Sequence, residues 1–86
     1  LGDVYKRQAQ NDIEAFRIAL EIEEKSIATY RKLAEESWDE ELSFLYDTLA
    51  GQERVHRDMI ENTMEYLEHP VDWFAREEKW IYEGGP

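Results

Sequence analysis

Apolar side chains recur every three or four residues along two long segments, and this spacing constrains the fold more than any other feature. Positions spaced in this way lie on one side of an α-helix, so the sequence predicts two long amphipathic helices. In the first segment, 11–36, the recurring positions are Phe16, Leu20, Glu23, Ile27, Tyr30 and Ala34. In the second, 38–68, they are Tyr46, Leu49, Glu53, His56, Ile60, Thr63 and Leu67.

Capping signals predict where these helices begin and end. Asn11 followed by Glu14 predicts that helix 1 begins at Asn11, and Ser37 followed by Glu40 predicts that helix 2 begins near residue 38. Helix 2 ends near residue 68, because Pro70 cannot continue a helix interior. Pro70 also suits the first position of a helix, so a short third helix is expected within 70–82.

The N-terminal stretch LGDVYKRQ does not share the helical pattern that follows it. Residues 3–8 resemble a translated sequencing adapter. We therefore predict a non-native or disordered leader in 1–10, a helical hairpin in 11–69, and a short aromatic C-terminal helix and tail in 70–86. An adapter-like start also leaves open that the hairpin is the second half of a longer parent chain.

The composition excludes several classes of protein. With 86 residues the chain is one small domain, which buries only about 60% of its unfolded surface. It has no cysteine, and this excludes disulfides, thiolate metal sites and thiol catalysis. A net charge of −11 disfavours nucleic acid and anionic membrane surfaces, and no apolar run is long enough to span a bilayer. We expect a cytoplasmic protein without nucleic-acid or membrane partners.

Three polar residues interrupt the apolar sides of the two helices. Helices joined by a turn of two or three residues lie antiparallel. At a rise of about 1.5 Å per residue, Glu23 lies about 21 Å from the turn and Glu53 about 23 Å from it. His56 follows one helical turn later. We therefore expect Glu23, Glu53 and His56 to converge on the buried side, where an unpartnered carboxylate costs several kcal/mol.

A bound metal would supply the missing partners. One glutamate from one helix and Glu-x-x-His from another form half of the carboxylate site of di-metal helical bundles. Carboxylate oxygen and imidazole nitrogen suit ferrous iron or manganese. A second hairpin, related by two-fold symmetry, would complete the site and cover the open apolar side. The sequence thus predicts Glu23, Glu53 and His56 as metal ligands in a homodimer that holds two Fe ions, with Mn as the alternative.

Other residues have two possible roles. Tyr30 lies two helical turns after Glu23, and its side chain leans toward the helix N-terminus and hence toward the predicted site. It is expected to bind a ligand carboxylate or to donate one electron, and the alternative is a core tyrosine with a satisfied hydroxyl. The C-terminal aromatic residues are expected to cover the end of the bundle or to contact another subunit; they are Trp73, Phe74, Trp80 and Tyr82.

The stretches ALEIEEKSIATYRKLAEES and LAGQERVHRDM resemble the rubrerythrin-like branch of the ferritin-like superfamily. The likeness is carried by Glu23, Tyr30, Glu53 and His56 and covers most of 11–69, and the ending YLEHPVDWFAREEKWIYEGG resembles the tail of several such proteins. Encapsulated ferritins are similar in ligand spacing and in their short third helix. The resemblance implies a four-helix bundle of paired hairpins that binds two irons and oxidises Fe(II) with oxygen or peroxide.

The chain departs from these relatives at points that bear on its activity. It lacks the cysteine-ligated iron domain of many rubrerythrins, so turnover as a peroxidase would need an external electron donor. Ser26 stands where rubrerythrins often have a further glutamate, and no encapsulin-docking tail follows Gly84. The alternatives are therefore a ferroxidase or peroxidase-like oxidoreductase, an iron-storage cargo protein inside an encapsulin shell, and a metal-free helical dimerisation module.

Overall fold

The computed structural model describes residues 2–82 and residue 84, and it is helical almost throughout that range. The chain order is α1 (Gly2–Glu36), α2 (Glu40–Glu68) and α3 (Pro70–Tyr82). The predicted all-α fold is confirmed for these residues, whereas pairing into a four-helix bundle stays a prediction. Residue 1 of the predicted leader, residues 83, 85 and 86 of the predicted tail, and the side chain of Tyr82 lie outside the described part.

The helix start predicted at Asn11 is wrong, because α1 already begins at Gly2. Asparagine lowers helix stability only mildly, by well under about 1 kcal/mol relative to alanine. Extending an existing helix needs no new nucleus, and 2–10 contains no proline that would end it. The predicted leader is therefore continuous with α1 and largely exposed, while the non-native origin of residues 3–8 stays a prediction.

Asp39, rather than the predicted Ser37, caps the N-terminus of α2. The backbone of Asp39 is extended (φ −100°, ψ 120°), and its carboxylate accepts a hydrogen bond of 2.9 Å from the N–H of Glu41. The Ser37 hydroxyl instead donates to the carbonyl of Asp39 at 3.1 Å, within the turn. Across the turn, the Ser43 hydroxyl donates to the carbonyl of Ala34 at 2.9 Å, which joins the two helices.

Replacing Asp39 tests this assignment. We expect Asp39→Ala to lower the free energy of unfolding by about 1 kcal/mol, because it removes the acceptor for a backbone N–H in the first turn of α2. Urea denaturation followed by far-ultraviolet circular dichroism measures the change. The control Asp47→Ala removes the same charge from an exposed position within α2, away from its ends, and should change stability by less than about 0.5 kcal/mol. Equal losses in both variants would contradict the capping role.

The hairpin has two unlike faces. On one, which we call the charged face, Arg57 pairs with Glu24 at 3.5 Å and Arg17 pairs with Glu68 at 3.3 Å, both between α1 and α2. On the other, at 3.6 residues per turn, no Asp, Glu, Lys or Arg projects from 11–33 or 43–66. This uncharged face is formed by Ala15, Ile18, Ala19, Ile22, Ser26, Thr29, Leu33, Leu45, Thr48, Leu49, Gln52, His56, Met59, Thr63 and Tyr66.

The core of the hairpin is small. Among the described residues, the buried hydrophobic side chains are Ile27, Ala34 and Ala50. The chain exposes 7124 Å², whereas a compact monomer of 10.3 kDa exposes about 5,400 Å². Its extents are 55 × 35 × 12 Å, so its thickness is about that of one helix. The hairpin is thus a single layer, although stable domains normally pack two layers around a core.

The predicted third helix is confirmed. It is joined to α2 by a single residue, His69. The N–H of His69 donates to the carbonyl of Glu65 at 2.8 Å, and α3 begins at the following proline. The indole N–H of Trp73 donates to Asn62 Oδ1 at 3.0 Å, and the Trp73 ring meets that of Tyr66 edge to face at 5.2 Å. These contacts fix the base of α3 on α2. In the described range, none of the helices has both the length and the hydrophobicity needed to cross a bilayer.

Candidate metal centre

Glu23, Glu53 and His56 come together halfway along the hairpin. One possible ligand atom from each residue lies within 4.8 Å of those from the other two. Glu23 comes from α1 and the other two from adjacent turns of α2, and they meet because both helices place them at the same distance from the turn. The structure thus brings together the three residues predicted as ligands, and their role as ligands stays a prediction.

The three side chains differ in exposure. Glu23 is half-buried, and its Oε2 is buried without any hydrogen-bond partner. The Glu53 side chain is 23% exposed, whereas that of His56 is 58% exposed. The expectation that His56 is buried is therefore wrong for a single hairpin. His56 projects from the uncharged face and is exposed there, so the site is open toward that face.

The approach of two carboxyl groups raises the pKa of Glu23 above its ordinary value. The largest cause is a side-chain hydrogen bond with Glu53, and desolvation and Coulomb repulsion from Glu53 act in the same direction, while His56 lowers the pKa. Such a hydrogen bond requires a proton on one carboxyl, since two ionised carboxylates only accept. With both glutamates ionised, Glu23 Oε2 therefore has no partner, and the site favours uptake of a proton or a cation.

Glu53 and His56 do not satisfy each other. His56 Nδ1 lies 3.9 Å from Glu53 Oε2, a distance compatible with an ion pair but too long for a hydrogen bond. The direct Glu53–His56 pairing expected for a metal-free module is thus present only as a long, partly exposed contact. Such exposed contacts contribute little to stability, with typical net values of about 0–1 kcal/mol.

Tyr30 contacts a second tyrosine across the hairpin. Its ring stacks on that of Tyr46, with centroids 6.5 Å apart and an angle of 23° between the planes. Tyr30 follows Glu23 by two turns and Tyr46 precedes Glu53 by two turns, so both rings lie at one height in an antiparallel hairpin. Sequence reasoning treated Tyr46 only as a repeating core position. The matched spacing in opposite directions was the signal that could have identified the pair.

The raised pKa of Glu23 predicts how the metal-free protein responds to pH. A carboxyl whose pKa is higher in the folded than in the unfolded state contributes stability below the unfolded value, and this contribution is lost as pH rises through the folded value. We therefore expect the melting temperature in chelator to fall more steeply from mildly acidic to neutral pH in the unchanged protein than in Glu23→Gln. Glu21→Gln, an exposed neighbour on α1, is the control and should retain the steep fall. Identical slopes in all three proteins would contradict the interpretation.

Comparison with known proteins does not assign the site. No protein-family model, no curated protein and no solved structure matches the chain. The function is therefore inferred from the geometry of Glu23, Glu53 and His56 and from the surface around them.

Proposed function

We propose that the protein is a non-haem di-iron carboxylate protein of the rubrerythrin and ferritin-like type, which binds iron and oxidises Fe(II) with oxygen or peroxide. The observation that carries the proposal is the convergence of Glu23, Glu53 and His56 around a buried carboxylate oxygen without a partner. Two carboxylates and one imidazole are donors that suit Fe(II), with Mn(II) as the alternative. The donor set therefore fits the proposed metal.

A cation would relieve the electrostatic strain at this point. The raised pKa of Glu23 means that a second negative charge beside Glu53 is unfavourable, and a divalent ion between the two carboxylates removes that cost. Glu53 lies beside both Glu23 and His56, so it is the residue best placed to contact two ions. Glu23 would bind terminally, and His56 would bind one ion through a ring nitrogen.

One hairpin supplies only half of a di-iron site, and the uncharged face supports a second copy as the source of the other half. Each chain carries a net charge of −11, so the repulsion between two copies is weakest when they meet through the face without charged groups. The excess exposed area over a compact monomer, about 1,700 Å² per chain, is of the size buried by each partner in an obligate homodimer. His56 projects from this face and would reach the shared site.

The residues of the chain have distinct roles in the proposed reaction. Iron held by Glu23, Glu53 and His56 would supply the electrons that reduce oxygen or peroxide. The Glu23 and Glu53 carboxylates would offset the positive charge of the metal ions. A second copy that covers the uncharged face would exclude bulk water from the site. Tyr30, held against Tyr46, is available to hydrogen-bond a ligand carboxylate or to give up one electron and a proton. Repeated reduction of peroxide would draw on an external electron donor.

A metal-free dimerisation module is the second candidate. It is favoured by the long Glu53–His56 contact and by the uncharged face, both of which exist without metal. In that case removal of metal would leave stability unchanged. An iron-storage role would instead require iron uptake far above two ions per dimer.

Native mass spectrometry of the full chain after anaerobic Fe(II) loading separates these functions. A dimer that carries two irons is the expected result. A metal-free dimer would support the module, and a larger assembly with many irons per dimer would support storage. A monomer without iron would contradict the proposal. Oxygen consumption by the loaded dimer then tests the oxidation step.

A further inference from the structure

Two exposed aromatic features at opposite ends of the hairpin are not used by the proposed site. Trp38, in the turn between α1 and α2, is 94% exposed. On α3, Phe74 and Ile81 are 57% and 67% exposed. Together with Trp73, Glu77 and Glu78 they line an open groove of about 520 Å³, which we call the α3 groove. Large exposed aromatic groups of this kind mark interaction surfaces when they are contiguous.

The position of the candidate metal centre relates these two features. Glu53 lies next to the midpoint of α2, which spans Glu40–Glu68. A two-fold axis through the centre and perpendicular to the helices therefore lets the α2 helices of two hairpins overlap along their full length. A residue that precedes Glu53 in α2 of one copy then lies at the height of the residue that follows Glu53 by the same number of positions in the second copy. The turn of one copy then lies at the height where α3 of the other begins.

The α3 groove is preformed at that height. Phe74 packs on Tyr66 with ring centroids 5.9 Å apart, and Arg76 pairs with Glu65 at 3.4 Å. Tyr66 belongs to the uncharged face, so the groove is continuous with the surface proposed to pair the hairpins. An axis parallel to the helices would instead bring the two turns to one end and both α3 grooves to the other, so Trp38 of one copy would lie a full helix length away from the groove of the second.

We propose that Trp38 of one copy packs into the α3 groove of a second copy, and this inference rests on the proposed pairing of hairpins. By symmetry the contact forms twice, once at each end of the dimer. The Trp73 and Phe74 rings offer edge-to-face contacts to an indole, and the Glu77 and Glu78 carboxylates that line the groove offer acceptors for its N–H. The chemistry of the groove thus matches an aromatic group with one polar hydrogen.

Site-specific crosslinking tests the contact, because the chain has no native cysteine. Full chains carrying Trp38→Cys and Phe74→Cys are co-expressed, loaded with Fe(II) and treated with a short bis-maleimide. The expected product is a crosslinked heterodimer. The control pairs Ala28→Cys, on the charged face, with Phe74→Cys and should give no product. Crosslinks between two Trp38→Cys chains would place both turns at one end and would overturn the proposal, as would the absence of any heterodimer product.

The dissociation constant of the dimer provides a second test of the contact between Trp38 and the α3 groove. Trp38→Ala should weaken dimerisation about a hundredfold, since two contacts are lost and each is worth about tenfold or more. An unchanged dissociation constant would overturn the contact. Iron content is measured in parallel, and it separates the two proposals. A crosslinked dimer without iron would retain the contact and contradict the di-iron function, whereas an iron-loaded dimer without the crosslink would contradict only the contact.

Discussion

Replacing Glu53 by glutamine is expected to change stability in opposite directions with and without iron. Without metal, Glu53→Gln should melt at a higher temperature than the unchanged protein, because a neutral amide replaces the carboxyl whose hydrogen bond and charge raise the pKa of Glu23. With Fe(II) the order should reverse. A ligand present at a hundredfold excess over its Kd stabilises the folded state by about 2.7 kcal/mol, and the variant would lose that gain.

Anaerobic melting curves with chelator and with Fe(II) measure both effects. Glu61→Gln is a matched control, because it neutralises an exposed glutamate of the same helix and should leave the iron-dependent shift intact. His56→Ala should also lose the shift, but without the gain in chelator. A Glu53→Gln protein that retains the full iron-dependent shift, or that loses stability equally in both conditions, would indicate a structural glutamate and contradict the metal site.

A charge placed on the uncharged face is expected to separate the dimer. Leu45 is 49% exposed in the single hairpin and lies two turns from Glu53, so Leu45→Glu should leave the helices and the ligands in place. In the dimer, however, symmetry would bury two unpaired carboxylates, each at a cost of several kcal/mol. The dimer dissociation constant should therefore rise by at least about a thousandfold.

Sedimentation velocity over a range of protein concentrations measures this change, and circular dichroism verifies that the helices persist. Ala28→Glu adds the same charge to an exposed position on the charged face and should leave the dimer unchanged. If both variants dissociated, general repulsion between acidic chains would explain the result. If neither did, the uncharged face would not be the pairing surface. Iron binding should be lost together with the dimer in Leu45→Glu.

The convergence of Glu23 and Glu53 could be predicted from sequence because it depends only on helix geometry. The rise per residue is nearly constant, so equal distances from a short turn place two residues at one height. The existence of all three helices followed from periodicity and from Pro70 in the same way. These features depend on local chemistry, which the sequence expresses directly.

The features that could not be predicted from the sequence are of two kinds. In some, several residues offer competing N-cap signals, and in others the outcome depends on how neighbouring helices pack. Ser37 and Asp39 both suit an N-cap, and the conformation of the turn decided between them. Asn11 suits an N-cap too, but nothing before it stops the helix. The packing of α1 on α2 determines which flank of the apolar side of α2 is covered. The exposure of His56 follows from that packing, which periodicity alone does not give.

The single-layer shape of the hairpin also has a consequence for how the protein folds. Its tertiary contacts join helices that are adjacent in the chain, and such low-contact-order hairpins form within microseconds to milliseconds. In the proposed dimer, the small core of each hairpin leaves the later association step to provide most of the stability. Refolding should then show a fast phase that is independent of protein concentration and a slower phase whose rate increases with protein concentration. The rate of association would therefore determine how long the uncharged face stays exposed to water.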